Sequence, residues 1–150
     1  MVVTIKINET TAYSFSGENE YFIIQHGEII KNRKFEQISY SSLKFKNDIP
    51  NDSYKYEMEL YFINSNKKIV ITKNGTEINP NTGVSLTEGQ VLQQLGRFQI
   101  DSSEARNEYR KLQDVSNRNI IKNFYFEITF TTYDRQEITQ TLKLDVEKIK

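Results

Sequence analysis

The stretch "NFYFEITFTTYDRQEITQTLKLDVEK" near the end of the chain limits the fold more than any other. Phe124, Phe126, Ile128 and Phe130 alternate with Tyr125, Glu127, Thr129 and Thr131. After "YDRQ" the alternation resumes, with Ile138, Leu142, Leu144 and Val146 on one side and Thr139, Thr141, Lys143 and Asp145 on the other. Successive side chains of a strand point to opposite faces, so a period of two predicts one dry face and one wet face. A strand buried in a parallel sheet would be apolar on both, so the pattern predicts an antiparallel hairpin turning at Tyr133–Gln136. Gln140 breaks the apolar side, and a bulge or a rim position would account for it.

The rest of the chain extends the pattern. "VVTIKIN" sets Val3, Ile5 and Ile7 on one face, and "AYSFS" offers Tyr13 and Phe15. "EYFIIQHGEII" reads as two short strands around "QHGE", with Gly27 supplying positive φ at a tight turn. "ISYSSLKFKN" is a polar strand anchored by Leu43 and Phe45. "SYKYEMELYFI" lines Tyr54, Tyr56, Met58, Leu60 and Phe62 on one face, "NSNK" turns it and "KIVITK" returns. "NGTEINPNTG" reads as a loop from its Asn-Gly, Asn-Pro and Thr-Gly pairs. The character then changes. In "SLTEGQVLQQLGRF", Thr87 and Gln90 have capping-box spacing, and Val91, Leu92 and Leu95 follow at helical intervals. "DSSEARNEYRKLQDVSN" predicts a second, surface helix, capped by Ser102 or Ser103 and stopped by Asn117, with Ala105, Tyr109 and Leu112 as a narrow apolar stripe.

The predicted fold is therefore mainly β: an antiparallel β-sandwich with one or two short helices inserted before the C-terminal hairpin. A length of 150 residues favours a single domain over 1–150, with the helical insertion at about 87–116. A chain of that size buries roughly 68–70 % of its unfolded surface and needs no disulfide or metal staple. "SSLKFKND", "YKYEMELYFINSNKKIVI", "LTEGQ" and "FYFEITFTTYDRQEITQTLKLDV", spanning roughly residues 41–147, resemble the immunoglobulin-like sandwich modules of uncharacterised bacterial membrane-associated proteins. The resemblance implies a sandwich and carries over no functional residues; a helix near 103–115 departs from it.

Most catalytic classes lack their residues here. With no cysteine there is no thiol nucleophile, no disulfide framework and no cysteine-based metal site. His26 is the only histidine, read as an exposed turn residue, with a general base or pH switch as the functional alternative. No metal site and no cofactor are expected: zinc would need three carboxylates beside that histidine, and the six glycines form no phosphate-binding motif. No acidic residue stands two before any lysine, which removes the usual triplet of metal-dependent nucleases. Glu57 with Glu59, and Asp145 with Glu147, could do acid–base work if burial raised one pKa, or could be a solvated strand face.

Twenty basic and twenty acidic residues balance, so a nucleic-acid partner is not expected. No apolar run approaches the roughly 20 residues of a membrane helix, and "MVVTIKINETTAYSF" alternates where a signal peptide would have a basic start followed by an apolar stretch. The expected setting is cytoplasmic, or else this is a soluble domain of a membrane-associated protein. The codon bias implied by abundant Lys, Asn, Ile, Tyr and Phe points to an AT-rich bacterium or its phage.

Two features suggest recognition. Tyr40, Tyr61, Tyr125 and Tyr133 fall at polar-face or turn positions, where tyrosine supplies rigid contact area, though cross-strand packing is the simpler role. Arg97, Arg106, Arg110 and Arg118 cluster, with Arg106 and Arg110 one helical turn apart, and acidic residues are interleaved with them as on an ordinary surface helix. The expectation is a non-enzymatic module that binds a protein through Tyr61, Tyr125, Arg106 and Arg110, with no catalytic residue assigned. A phage- or mobile-element-encoded inhibitor of a host protein and a carboxylate-dependent hydrolase are the alternatives.

Overall fold

A computed structural model describes residues 10–103 and 111–149 of the chain. The strand read at Val3–Ile7 lies outside them, as do Ala105, Arg106, Tyr109 and Arg110. The described elements run β1 (Thr11–Glu18), β2 (Phe22–Lys31), β3 (Phe35–Phe45), β4 (Ser53–Asn64), β5 (Lys67–Glu77), α1 (Glu88–Leu95), β6 (Phe98–Ser103), α2 (Asn117–Lys122), β7 (Phe124–Thr132), β8 (Glu137–Lys143) and β9 (Asp145–Lys148). They form two antiparallel sheets, in the order β6-β3-β2-β1-β9 and β5-β4-β7-β8. Aromatic rings join the two inner faces: Phe15 meets Phe124 and Phe22 meets Phe126, both edge-on at 5.1 Å, and Phe45 meets Phe130 at 6.5 Å. The sandwich expected from the alternation is present, and α1 and α2, the two α-helices among the described residues, stand between β5 and β7.

Both hairpins read from the sequence are found. Met58, Leu60, Phe62, Phe126, Ile128, Phe130, Leu142 and Leu144 are all buried. Ser65 and Asn66 both take positive φ, which gives the β4–β5 turn the twist a two-residue hairpin needs. The β7–β8 turn closes with Arg135 at φ 66°. Beyond Lys143 the chain leaves the second sheet. Leu144 donates its N–H to the Phe124 carbonyl at 2.8 Å, and β9 then pairs with β1, so the last strand ties the sheets together. Gln140 sits opposite Ile128 in an unbroken register and is buried. There is no bulge there; it occupies the rim, on edge strand β8.

Four expectations need correction. "QHGE" is not a turn: β2 runs through it, and His26, not Gly27, has the positive φ (59°). The pleat reverses at that point, so that Ile24 and Leu43 face inward, and Gly27 and Tyr40 do too, three residues away on each strand. Asn74-Gly75 is also strand, inside β5; a Cβ on Gly75 would stand 2.5 Å from the Tyr56 carbonyl oxygen, so the glycine is set by backbone approach and not by a turn. Ser102 and Ser103 belong to β6, and at its described end, Lys111–Asp114, the expected second helix is a short 3₁₀ turn. Asn117 begins α2 instead of stopping a helix: Ser116 is its N-cap, accepting from Asn119 N. The α1 capping box is as read, with Thr87 and Gln90 each bonded to the other's backbone.

Core tyrosines hold the helices. Tyr40 donates to the Leu95 carbonyl at 2.7 Å, Tyr56 to the Gln94 side chain, and Tyr13 to Asn117 Oδ1 at 2.8 Å. Buried Glu36 accepts from Leu112 N at 3.0 Å and Gln113 Nε2 at 2.8 Å, which fixes the short 3₁₀ turn Lys111–Asp114 against β3. Among the described residues no helix is long and apolar enough to cross a membrane.

Candidate functional site

The outer face of the second sheet collects the polar positions of β5, β4, β7 and β8. Alternation puts Glu57, Glu59 and Tyr61 on that face of β4, and Tyr125, Glu127 and Thr129 on that face of β7. The β4–β7 register then sets Tyr61 beside Tyr125 and Glu59 beside Glu127. The two tyrosine rings stack at 5.3 Å between centroids, 15° apart in plane. Lys68 Nζ lies 4.3 Å from the Tyr61 centroid, within cation–π range. Together they cover Tyr61 to 8 % exposure, whereas Tyr125 is half-buried. Of the aromatics expected to be exposed, then, Tyr61 is covered by its neighbours and Tyr125 keeps an open surface.

The carboxylates are bound up with the same lysines. Glu59 Oε2 stands 2.7 Å from Lys68 Nζ and Glu59 Oε1 3.2 Å from Lys73 Nζ. Burial alone would raise the Glu59 pKa, but hydrogen bonds and charge from Lys68 and Lys73 outweigh it and hold the carboxyl below its usual value. Glu59 is therefore an ionised acceptor near neutral pH, a poor general acid. Burial, followed by the negative charge of Glu127, pushes the Tyr61 hydroxyl up to about 12. Thr141 Oγ1 donates to Glu127 Oε1 at 3.0 Å, and Thr129 and Thr139 bond across β7 and β8 at 2.9 Å. The result is a polar, cross-linked face carrying the Tyr61–Tyr125 stack.

A β-bulge makes this arrangement. Counting back from the Ser65-Asn66 turn, an unbroken hairpin would put Thr72 opposite Glu59. The register shifts between Leu60 and Tyr61, where Ile71 is the extra residue, and brings Lys73 opposite Glu59 instead. Lys68 and Lys73 were not picked out from the sequence for that reason. Their only signal is the acid–base complementarity of the two halves of a hairpin.

The other candidate residues lie elsewhere. Tyr40 is buried, stacked on Phe98 at 5.6 Å, and burial raises its pKa. Tyr133 is half-buried at the far end of the sandwich, its ring tilted 40° to that of Tyr54 with centroids 5.5 Å apart. Arg106 and Arg110 lie outside the described residues. Asp145 and Glu147 are exposed on β9 in the first sheet, apart from Glu57 and Glu59. His26 is exposed. Among the described residues no three His, Asp or Glu side chains gather as a metal site would require. A cleft of about 340 Å³, open to solvent, lies over Gly75 between Lys55, Glu57, Lys73 and Glu77. No protein-family model, curated protein or solved structure matches the chain.

Proposed function

We propose that the chain is a non-catalytic module that binds another protein through the outer face of its second sheet, with Tyr125 stacked on Tyr61 as the anchor. The observation that carries the reading is the stack itself. A half-exposed ring fixed from beneath by Tyr61, which Lys68 in turn covers, loses little freedom on binding, and rigid aromatics dominate interface energetics. The Lys68–Glu59–Lys73 pairs give the face a fixed pattern of charge beside that anchor. A carboxylate-dependent hydrolase has less support, because Glu59 is held ionised by two lysines. A phage-encoded inhibitor would be one biological setting for the same binding surface.

The test is affinity capture from the source organism's lysate, followed by titration of the captured partner against variants. Tyr125→Ala should weaken binding by about 2 kcal/mol or more, the threshold of a hot spot, while the urea midpoint hardly moves. Arg106→Ala and Arg110→Ala test whether that surface extends to the arginine cluster. A partner bound equally well by Tyr125→Ala, or loss of function on Glu57→Gln with Tyr125→Ala silent, would reject the reading.

A further inference from the structure

A second surface is built differently. At the end of the sandwich where β3 passes to β4 and β7 to β8, a cleft of about 410 Å³ opens between residues 50–52 and 132–138. That volume falls within the roughly 300–1,000 Å³ of small-molecule sites. Its two walls are tied by Tyr133 N, which donates to the Asp52 carbonyl at 2.9 Å, and the second wall is closed on itself by Arg135 N to the Thr132 carbonyl at 2.8 Å and Thr132 N to the Gln136 carbonyl at 3.0 Å. Tyr133 is held on a third segment by its hydroxyl, which donates to the Val84 carbonyl, and its half-exposed ring packs on Tyr54. Asp52 and Arg135 both hold positive φ at the rim. The cleft is therefore pre-organised.

Its chemistry is selective. Asn51, Asp52, Asp134 and Gln136 line it and are exposed. The side chains of Asn51, Asp52 and Gln136 make no hydrogen bond to any described residue, whereas Asp134 accepts from Thr132. No lysine, arginine or histidine is in the lining and two carboxylates are, with Arg135 only at the rim, so a phosphate or carboxylate would meet a net negative charge. Pro50 and Ile138 are the only aliphatic walls, too few to hold an apolar ligand. What remains is a set of amides that both donate and accept, carboxylates that accept, and an aromatic ring fixed beside them. Adjacent sugar hydroxyls, each donor and acceptor at once, match that set, and the C–H face of a pyranose matches the ring.

We propose that this cleft is a binding site for a neutral saccharide, distinct from the tyrosine stack and independent of it. Cello-, chito- and malto-oligosaccharides titrated at millimolar concentration into the isotope-labelled full chain are the probes. One of them should shift amide resonances at Asn51, Asp52 and Tyr133–Gln136, and the shifts should persist in chelator. Asn51→Ala and Gln136→Ala, both exposed and unbonded, should each weaken that probe about tenfold, as loss of one or two hydrogen bonds does. Lys148→Ala, on the distant β9, should change nothing. Absence of shifts at these residues with all three probes overturns the proposal. So does a response that needs calcium, which would give Asp52 and Asp134 to a cation, or one confined to Tyr125 and its neighbours.

Discussion

Gly27→Ala isolates the point where the first sheet reverses its pleat. Gly27 is opposite Phe15 in the β1–β2 register, and a Cβ placed on it would lie 2.3 Å from Phe15 Cδ2 and Cε2 and 2.6 Å from Cγ. Carbon atoms rest at about 3.5–4.0 Å, so the ring would have to withdraw by more than about 1 Å. It has no free space to enter. Phe15 is 3 % exposed and sits edge-on to Phe124, which stacks on Phe62 at 4.3 Å. The displacement would pass into the contact between the sheets, and overpacking of that kind costs about 1–3 kcal/mol. Gly27 has no positive φ, so alanine itself is unstrained there, and stiffening the unfolded chain returns about 0.4–1 kcal/mol. The net expectation is a loss of about 1–2 kcal/mol, read as a lower urea midpoint at unchanged slope, or a Tm lower by about 2–4 °C per kcal/mol for a chain of this length. In a Phe15→Leu background the same substitution should cost less, with a coupling of about 1 kcal/mol. Gly27→Ala at or above wild-type stability, or strict additivity in the cycle, would refute the argument from close approach.

Phe130→Ala, which empties a fully buried ring site against Tyr56 and Phe45, should cost about 3–5 kcal/mol in urea unfolding. Tyr40→Phe leaves the Leu95 carbonyl without its buried donor, so stability should fall by about 1 kcal/mol, and the amides of α1 should exchange faster while those of β7 do not change. The Glu59 pKa is depressed in the folded protein, so its ion pairs stabilise above the unfolded carboxyl value near 4.3 and lose that stabilisation as pH falls through the lower folded value. Glu59→Gln should therefore be less stable than wild type at neutral pH, by up to about 1 kcal/mol for a surface pair, and the gap should close in acid; a gap that persists there would assign the loss to packing.

Strand alternation was legible wherever the pleat kept one phase. Phe124–Phe130 and Met58–Phe62 could be placed because every second residue is apolar and nothing interrupts them. β2 and β3 were misread because the phase changes in mid-strand. His26 takes a backbone conformation that sequence patterns assign to glycine, and Tyr40, counted from Leu43, falls on the wrong face. β6 was missed for a different reason. "FQIDSS" has two apolar residues and a serine pair that is also a plausible helix cap, and what makes it a strand is the edge of β3, to which Phe98–Ser103 is hydrogen-bonded. Local propensity was overridden by a pairing partner some 60 residues away.

The tyrosines show why a binding surface is harder to read than a core. Three of them, Tyr13, Tyr40 and Tyr56, direct their hydroxyls to the two helices, so the phenol oxygen has a structural duty that phenylalanine could not perform. Tyr61 and Tyr125 make a stack whose partners are 64 positions apart and meet only because β4 and β7 are neighbours in this register. Tyr54 and Tyr133 meet at the end of the same two strands, where the register shifts between Ser53 and Lys55. In the sequence all seven are an aromatic with a polar tip at a strand or turn position. What separates helix anchor, sheet-face stack and cleft wall is which strand lies alongside and whether the pleat has slipped by one residue before it gets there. Both are long-range properties, and both are set here by bulges at His26, Ile71 and Tyr54, none of which is a glycine. At Tyr61 and Tyr125, then, the residue that decides where the lysines of the site lie, Ile71, is not one of those that form it.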